Sequence, residues 1–138
     1  MSPLSNHGTG QHPCAGTEAP DTLGDCIAEY SAWVDYNFGT TSSFEDRTKK
    51  AQEQFLGVVE EVGELSHSIL KQLQTIRGTH EEHDADQRDA VADIVIFLMG
   101  FCYRKGWSLE QIILETWKDV RLRDWIKYPK TGKEVYVD

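Results

Sequence analysis

The sequence is poor in positive charge. Only 14 of its 138 residues are lysine or arginine, against 23 aspartates and glutamates, so the net charge is −9. Binding to nucleic-acid polymers or to anionic membranes depends on basic residues that neutralise phosphates, and this balance argues against both kinds of partner. We expect a small molecule instead, with a cation between it and the protein if that molecule is itself anionic.

Cysteine is scarce, and long apolar runs are absent. The three cysteines, Cys14, Cys26 and Cys102, form no CxxC pair and no other metal-binding spacing, which predicts reduced thiols. The longest apolar stretch, residues 90–103, is too short to span a membrane and contains Asp93, so it is predicted to be a core helix. The first residues lack the apolar region of a signal peptide, and we expect a soluble cytoplasmic protein.

Helical periodicity dominates the sequence after residue 20. Residues 1–20 are rich in Ser, Pro, Gly and Thr and are predicted to be a disordered leader, and residues 129–138 are predicted to be a short tail. Residues 21–128 are predicted to form one all-α domain of the four-helix-bundle type. Its helices are expected from about Thr22 to Gly39, Phe44 to Ile76, residues 85 to 105, and Ser108 to Lys127.

The second predicted helix carries two apolar stripes. The main stripe follows the helical period and comprises Phe55, Val58, Val59, Val62, Leu65, Ile69, Leu73 and Ile76. A smaller stripe repeats every seven residues at Leu56, Gly63 and Leu70. This smaller stripe indicates either a subunit contact or a scatter of surface leucines.

Asp93 is the only charged residue in the apolar stretch that begins at Ala90. An unpaired carboxylate in such a helix costs roughly several kcal/mol, so a cation must neutralise it. That cation is either a metal ion or an arginine or lysine of another helix. Asp89 precedes Asp93 by four residues, so the two side chains share one face.

A second acidic cluster lies about thirty residues upstream, in the segment Glu60-Glu61-Val62-Gly63-Glu64. Glu61 and Glu64 are three residues apart and therefore close on one helix surface. If this surface faces the third helix, four carboxylates meet: Glu61, Glu64, Asp89 and Asp93. Such hard oxygen ligands favour Mg²⁺ or Mn²⁺. The alternative is an acidic face that is simply solvated.

The segment Glu60-Glu61-Val62-Gly63-Glu64-Leu65 resembles the EExGEL signature of the MazG-like all-α nucleoside triphosphate pyrophosphohydrolases. Asp93 falls where the aspartate of that family's later ExxD motif stands, and the resemblance covers about residues 22–127. The chain departs from the family at Ala90, where the family has glutamate. Asp89, one residue earlier, still shares the face of Asp93.

The resemblance implies an enzyme that cleaves a nucleoside triphosphate to the monophosphate and pyrophosphate with Mg²⁺. Glu60 or Glu61 would orient or deprotonate the attacking water. Trp33 and Phe38 are the candidates for stacking on the base. Basic residues for the phosphates are Lys71, Lys118 and Arg121. Members of the family are homo-oligomers, so a homodimer or homotetramer is expected.

Two other functions fit parts of the sequence. Ala90 favours a non-catalytic relative that binds a nucleotide or a protein partner. Glu64 and His67 form an ExxH pair of the kind that di-iron carboxylate bundles use twice. However, the residues three positions after Asp89 and Asp93 are Ala92 and Ile96, so the second pair is missing.

Overall fold

A computed structural model of the chain describes residues 10–134, which contain four α-helices and no strand. These helices are α1 (Leu23–Phe38), α2 (Phe44–Gln74), α3 (His80–Lys105) and α4 (Leu109–Val120). The all-α class predicted from periodicity is therefore confirmed. None of the four helices has the length and apolar character that crossing a membrane requires.

The helix ends follow capping chemistry, with two differences from the prediction. Thr22, Ser43 and Ser108 cap α1, α2 and α4. The third helix begins at His80, five residues early, because Thr79 and Glu82 form a reciprocal capping box. The fourth helix ends at Val120 instead of Lys127, and turns follow it.

The chain divides into two compact units after Trp107, inside the region predicted to be one domain. In the first unit, α2 and α3 pack along each other and α1 contacts α3. The second unit consists of α4 and a turn segment that is closed by a backbone hydrogen bond from Asp124 to Gly132 (2.8 Å). No residue of α4 is buried.

The predicted leader and tail are described only in part. Residues 1–9 and 135–138 lie outside the described residues. Residues 10–20 form turns without helix or strand, and His12 packs edge-on against Tyr36 of α1 with 5.2 Å between ring centroids. Residues 10–20 therefore contribute side chains to the first unit.

The face of α2 that meets α3 is small and polar. Its buried residues are Ala51, Gln54, Gly57 and Ser68. A Cβ atom on Gly57 would lie 2.3 Å from the Phe97 ring, and one on Gly100 would lie 2.2 Å from Oε1 of Gln54. A side chain at either position would therefore force a neighbouring side chain to move, so both glycines favour the close approach of the two helices.

The main apolar stripe of α2 is largely exposed. Six of its eight residues are exposed, and only Val58 and Leu65 are half-buried. The leucines of the smaller stripe, Leu56 and Leu70, are exposed as well. Since α3 packs on a different, more polar face of α2, this exposed apolar surface is available to a partner.

Candidate active site

An apolar cavity of about 570 Å³ opens in the first unit. Trp33 and Phe38 of α1 both line it, with their rings 6.0 Å apart in a T-shaped arrangement. Asp93 of α3 lines the same cavity and is half-buried. The structure thus brings the two predicted stacking residues together with the aspartate that the sequence singles out.

The apolar cavity also contains polar groups that the sequence did not indicate. Buried Tyr30 donates a hydrogen bond to Oε1 of Gln54 (3.4 Å), and burial raises the pKa of Tyr30 to about 12. The Cys14 thiol is hydrogen-bonded to Glu29, and this bond raises the pKa of the thiol. These residues lie on three different segments, so no local sequence pattern could have grouped them.

A second cavity, of about 370 Å³, is polar and lies between α2 and α3. Of the predicted site residues, Glu64, Lys71 and Asp89 line it. Asp89 is one helical turn from Asp93, which lines the apolar cavity, so the two cavities follow one another along α3. An aromatic cavity and a charged one therefore lie one helical turn apart along α3.

Glu61 of α2 lies near carboxylates of both α2 and α3. It is half-buried, and its Oε2 atom is buried without a hydrogen-bond partner. Burial raises the pKa of Glu61, and the charges of nearby carboxylates raise it further. In decreasing order of effect these are Glu64, Asp93, Glu60 and Asp89. The other four predicted acids therefore all act on Glu61, although the sequence could only place them on two separate helices.

The acids do not form a closed set of metal ligands. Within residues 10–134, no three His, Cys, Asp or Glu side chains are close enough together to hold an ion as they stand. The buried, unpartnered Oε2 of Glu61 nevertheless lacks a positive or donor group. The set fits a divalent cation in its chemistry, and binding one requires the carboxylates to turn towards each other.

Asp93 is not neutralised by a basic side chain of the described chain. No lysine, arginine or histidine between residues 10 and 134 forms an ion pair with it. The buried ion pair of the first unit lies elsewhere and joins Arg104 to Asp35 at 3.1 Å. Two cations were considered to neutralise Asp93, a metal ion and a basic side chain. Within residues 10–134 the basic side chain is not found.

Two predicted phosphate-binding residues lie outside the first unit. Lys118 is in the last turn of α4 and Arg121 is its C-terminal cap, so both belong to the second unit. Lys118 lines a separate shallow cavity there, together with Trp117. Their role at the carboxylates stays a prediction. In the polar cavity itself, Arg77 and His67 accompany Lys71. The sequence indicated His67 only as a ligand in the di-iron alternative, and it did not indicate Arg77.

Ala90 is buried, with 4% of its surface exposed, and lines the polar cavity beside Asp89. The position at which the MazG-like family has glutamate is therefore a buried, packed position in this chain. Asp89 itself is exposed, so its carboxylate is free to approach the cavity from the rim.

Comparisons with models of known protein families, with curated proteins and with solved structures find no match to this chain. The resemblance to the MazG-like enzymes therefore depends on the sequence motifs alone.

Proposed function

We propose that the protein is a Mg²⁺-dependent nucleoside triphosphate pyrophosphohydrolase. The observation that carries this proposal is Glu61, whose buried Oε2 has no partner and whose pKa is raised by burial and by four neighbouring carboxylates. Mutual repulsion of this kind is relieved when a divalent cation binds among the acids. Clusters of perturbed carboxylates beside a cavity are typical of functional sites.

The two cavities match the two halves of a nucleotide. The aromatic walls at Trp33 and Phe38 offer surfaces on which a base can stack. The polar cavity offers Lys71 to the phosphates. Asp93 and Asp89, one turn apart on α3, then lie near the join between base and phosphates.

The chain supplies positioning and a base for the attack of water on the phosphoric anhydride. Glu61 and Glu60 are the candidates to orient or deprotonate that water. Magnesium, when bound by Glu61, Glu64, Asp89 and Asp93, supplies charge neutralisation of the phosphates. Cleavage between the α and β phosphates releases the monophosphate and pyrophosphate.

The exposed apolar side of α2 supports a homo-oligomer. Large apolar side chains such as Phe55, Leu56 and Leu70 are about half exposed or more along this face. Contiguous apolar surface of this kind is uncommon on monomers and marks a contact site. A second copy of the chain would cover it, in a homodimer or a homotetramer.

The decisive experiment measures pyrophosphate release from a panel of nucleoside triphosphates, with and without Mg²⁺. We expect Mg²⁺-dependent release, and we expect Asp93→Asn to lower it by about a thousandfold or more while the helical fold persists. Asp25→Asn, in the exposed first turn of α1, is the matched control and should retain wild-type turnover.

Full activity of a folded Asp93→Asn variant would overturn the assignment of Asp93. If the wild-type chain released no pyrophosphate from any triphosphate, the catalytic proposal would fail, and nucleotide binding without turnover would remain for measurement. Iron content of the purified protein tests the di-iron alternative, since Glu64 and His67 line the same polar cavity.

A further inference from the structure

The polar cavity holds charges of both signs that do not pair with one another. Lys71 and Arg77 line it together with Glu64, Asp86 and Asp89. Neither basic residue forms an ion pair with any carboxylate of the described chain. The Lys71 ammonium instead donates to the neutral amide of Gln74 (3.0 Å). Both sets of charges are therefore available to a ligand that itself carries both signs.

Arg77 is presented to the cavity by a fixed turn between α2 and α3. Its φ is +62°, in the left-handed region that non-glycine residues rarely adopt, and Thr75 two residues earlier has a φ of +54°. Such conformations are disfavoured and persist only where the surroundings enforce them. Hydrogen bonds on each side of Arg77 enforce its left-handed conformation.

Two anchors hold the turn. On the side of α2, buried His83 donates a hydrogen bond from Nε2 to the carbonyl of Ile76 (2.9 Å). On the side of α3, the Glu82 carboxylate accepts from the backbone of Thr79 (2.9 Å) within the capping box. The backbone of Arg77 is thus tied immediately before and two residues after its own position.

His83 is itself held in place by α2. The hydroxyl of buried Ser68 donates to the backbone carbonyl of His83 (3.0 Å), which joins the middle of α2 to the first turn of α3. His83 is therefore a positioning residue, because it acts on the cavity through the turn that carries Arg77.

We propose that Arg77, with Lys71, binds the diphosphate portion of the substrate and the pyrophosphate that leaves. This inference rests on the proposed function and adds a residue and a ligand class to it. A free anion would be repelled by the three carboxylates of the cavity. A diphosphate chelated to a divalent cation satisfies both sets: the cation lies against the carboxylates, and the phosphate oxygens accept from the guanidinium and the ammonium.

The test is calorimetric binding of inorganic pyrophosphate to the full chain, with and without Mg²⁺. Wild-type protein should bind it only when Mg²⁺ is present. Arg77→Ala should raise the dissociation constant about tenfold or more, and Arg77→Lys should recover part of the loss. The matched control is Arg88→Ala, which removes the same charge from an exposed position of α3 outside this cavity. It should change the constant less than about twofold.

The positioning role of His83 is tested with two variants in the same assay. His83→Gln keeps an N–H donor at a similar distance from the backbone and should bind pyrophosphate nearly as tightly as the wild type. His83→Ala loses the donor and should weaken binding towards the level of Arg77→Ala. Equal affinity of His83→Ala and the wild type would refute the positioning role.

The outcomes separate this inference from the proposed function. If the wild-type chain hydrolyses triphosphates but Arg77→Ala and Arg88→Ala bind pyrophosphate equally well, the assignment of Arg77 is wrong and the proposed function stands. If wild-type protein hydrolyses no triphosphate yet binds Mg²⁺-pyrophosphate through Arg77, the proposed function fails and the diphosphate site stands. Tight binding of pyrophosphate without Mg²⁺ would contradict the chelated ligand.

Discussion

The two sides of α2 differ in a way that reverses the usual expectation for an amphipathic helix. The side that packs on α3 contains Ala51, Gln54, Gly57 and Ser68, which are small or polar. The adjoining and outer sides carry large apolar residues, which are mostly exposed. Hydrophobicity alone therefore does not identify the side of this helix that faces its neighbour in the chain.

The difference has a physical reason on each side. Gly57 lets the Phe97 ring approach the α2 backbone, and half-buried Glu61 lies near the carboxylates of both α2 and α3. The apolar side has no such task within α1–α3. Its exposure is costly to a monomer, at about 25 cal/mol for each Å² that a partner could bury.

The largest expected effect comes from placing charge on the apolar side. Leu56→Glu combined with Leu70→Glu should raise the subunit dissociation constant more than about a hundredfold, because a buried unpaired carboxylate is strongly disfavoured in an interface. Sedimentation equilibrium measures this change. Ala28→Glu with Ala32→Glu adds the same charge to exposed positions of α1 and should leave the assembly intact.

A doubly substituted chain that assembles like the wild type would show that the apolar side is not the contact. Unfolding in place of dissociation would show that this side is covered within the chain.

The next largest effect is expected for Mg²⁺ binding at Glu61, on the polar side of α2. Glu61→Gln should raise the Mg²⁺ concentration needed for half-maximal stabilisation about tenfold or more, because it removes one anionic ligand. Glu53→Gln, an exposed change on the same helix, is the control. Thermal unfolding across a Mg²⁺ titration measures both, and equal titrations for the two variants would remove Glu61 from the metal site.

The same variant gives a pH test without metal. Since burial and neighbouring carboxylates raise the pKa of Glu61, its charged form is disfavoured in the folded state. At neutral pH without Mg²⁺, Glu61→Gln should therefore unfold at a higher temperature than the wild type. The difference should close as the pH falls through the raised pKa towards that of an ordinary glutamate, because folded Glu61 then takes up its proton.

Gly57→Ala should have a smaller effect on the stability of the fold. Its Cβ would meet the Phe97 ring at 2.3 Å, so α2 and α3 must separate or the ring must move. Overpacking of this kind lowers the free energy of unfolding by about 1–3 kcal/mol. Urea unfolding measures it, and an unchanged midpoint would show that the helices do not approach as closely as described.

Gly63→Ala should have the smallest effect, of opposite sign. Gly63 lies on the same helix, and a Cβ there meets no atom within 4 Å. Alanine should therefore raise the free energy of unfolding by about 0.5–1 kcal/mol through its helix propensity. A loss of stability in the assembled protein would instead place Gly63 in a subunit contact, as the smaller stripe at Leu56 and Leu70 suggests.

Local signals predicted the fold well because they act over a few residues. Thr22 and Ser108 cap the helices they were expected to cap, and Gly106 ends α3 with a φ of +75°. The start of α3 was missed, because the charged segment from His80 to Asp84 was interpreted as a connection. The Thr79–Glu82 capping box makes that segment helical.

The site was only partly predictable because its parts depend on tertiary packing. Sequence spacing placed Glu61 with Glu64, and Asp89 with Asp93, on common faces, and their mutual effect on the pKa of Glu61 agrees with that. Nothing in the sequence could place Arg77 in the polar cavity, since its position depends on a left-handed turn that His83 secures from another helix.

Arg104, near the end of α3, fixes the end of α1, where Phe38 lines the apolar cavity. The Arg104 guanidinium, 2% exposed, holds Asp35 through Nη1 (3.1 Å) and the Gly39 carbonyl through Nη2 (2.9 Å). Gly39 directly follows Phe38, so the Arg104 guanidinium attaches the end of α1 to α3. The position of Phe38 at the apolar cavity is accordingly fixed by polar contacts outside the cavity. Weakening these contacts should let the cavity accept a wider range of flat ligands before it unfolds the chain.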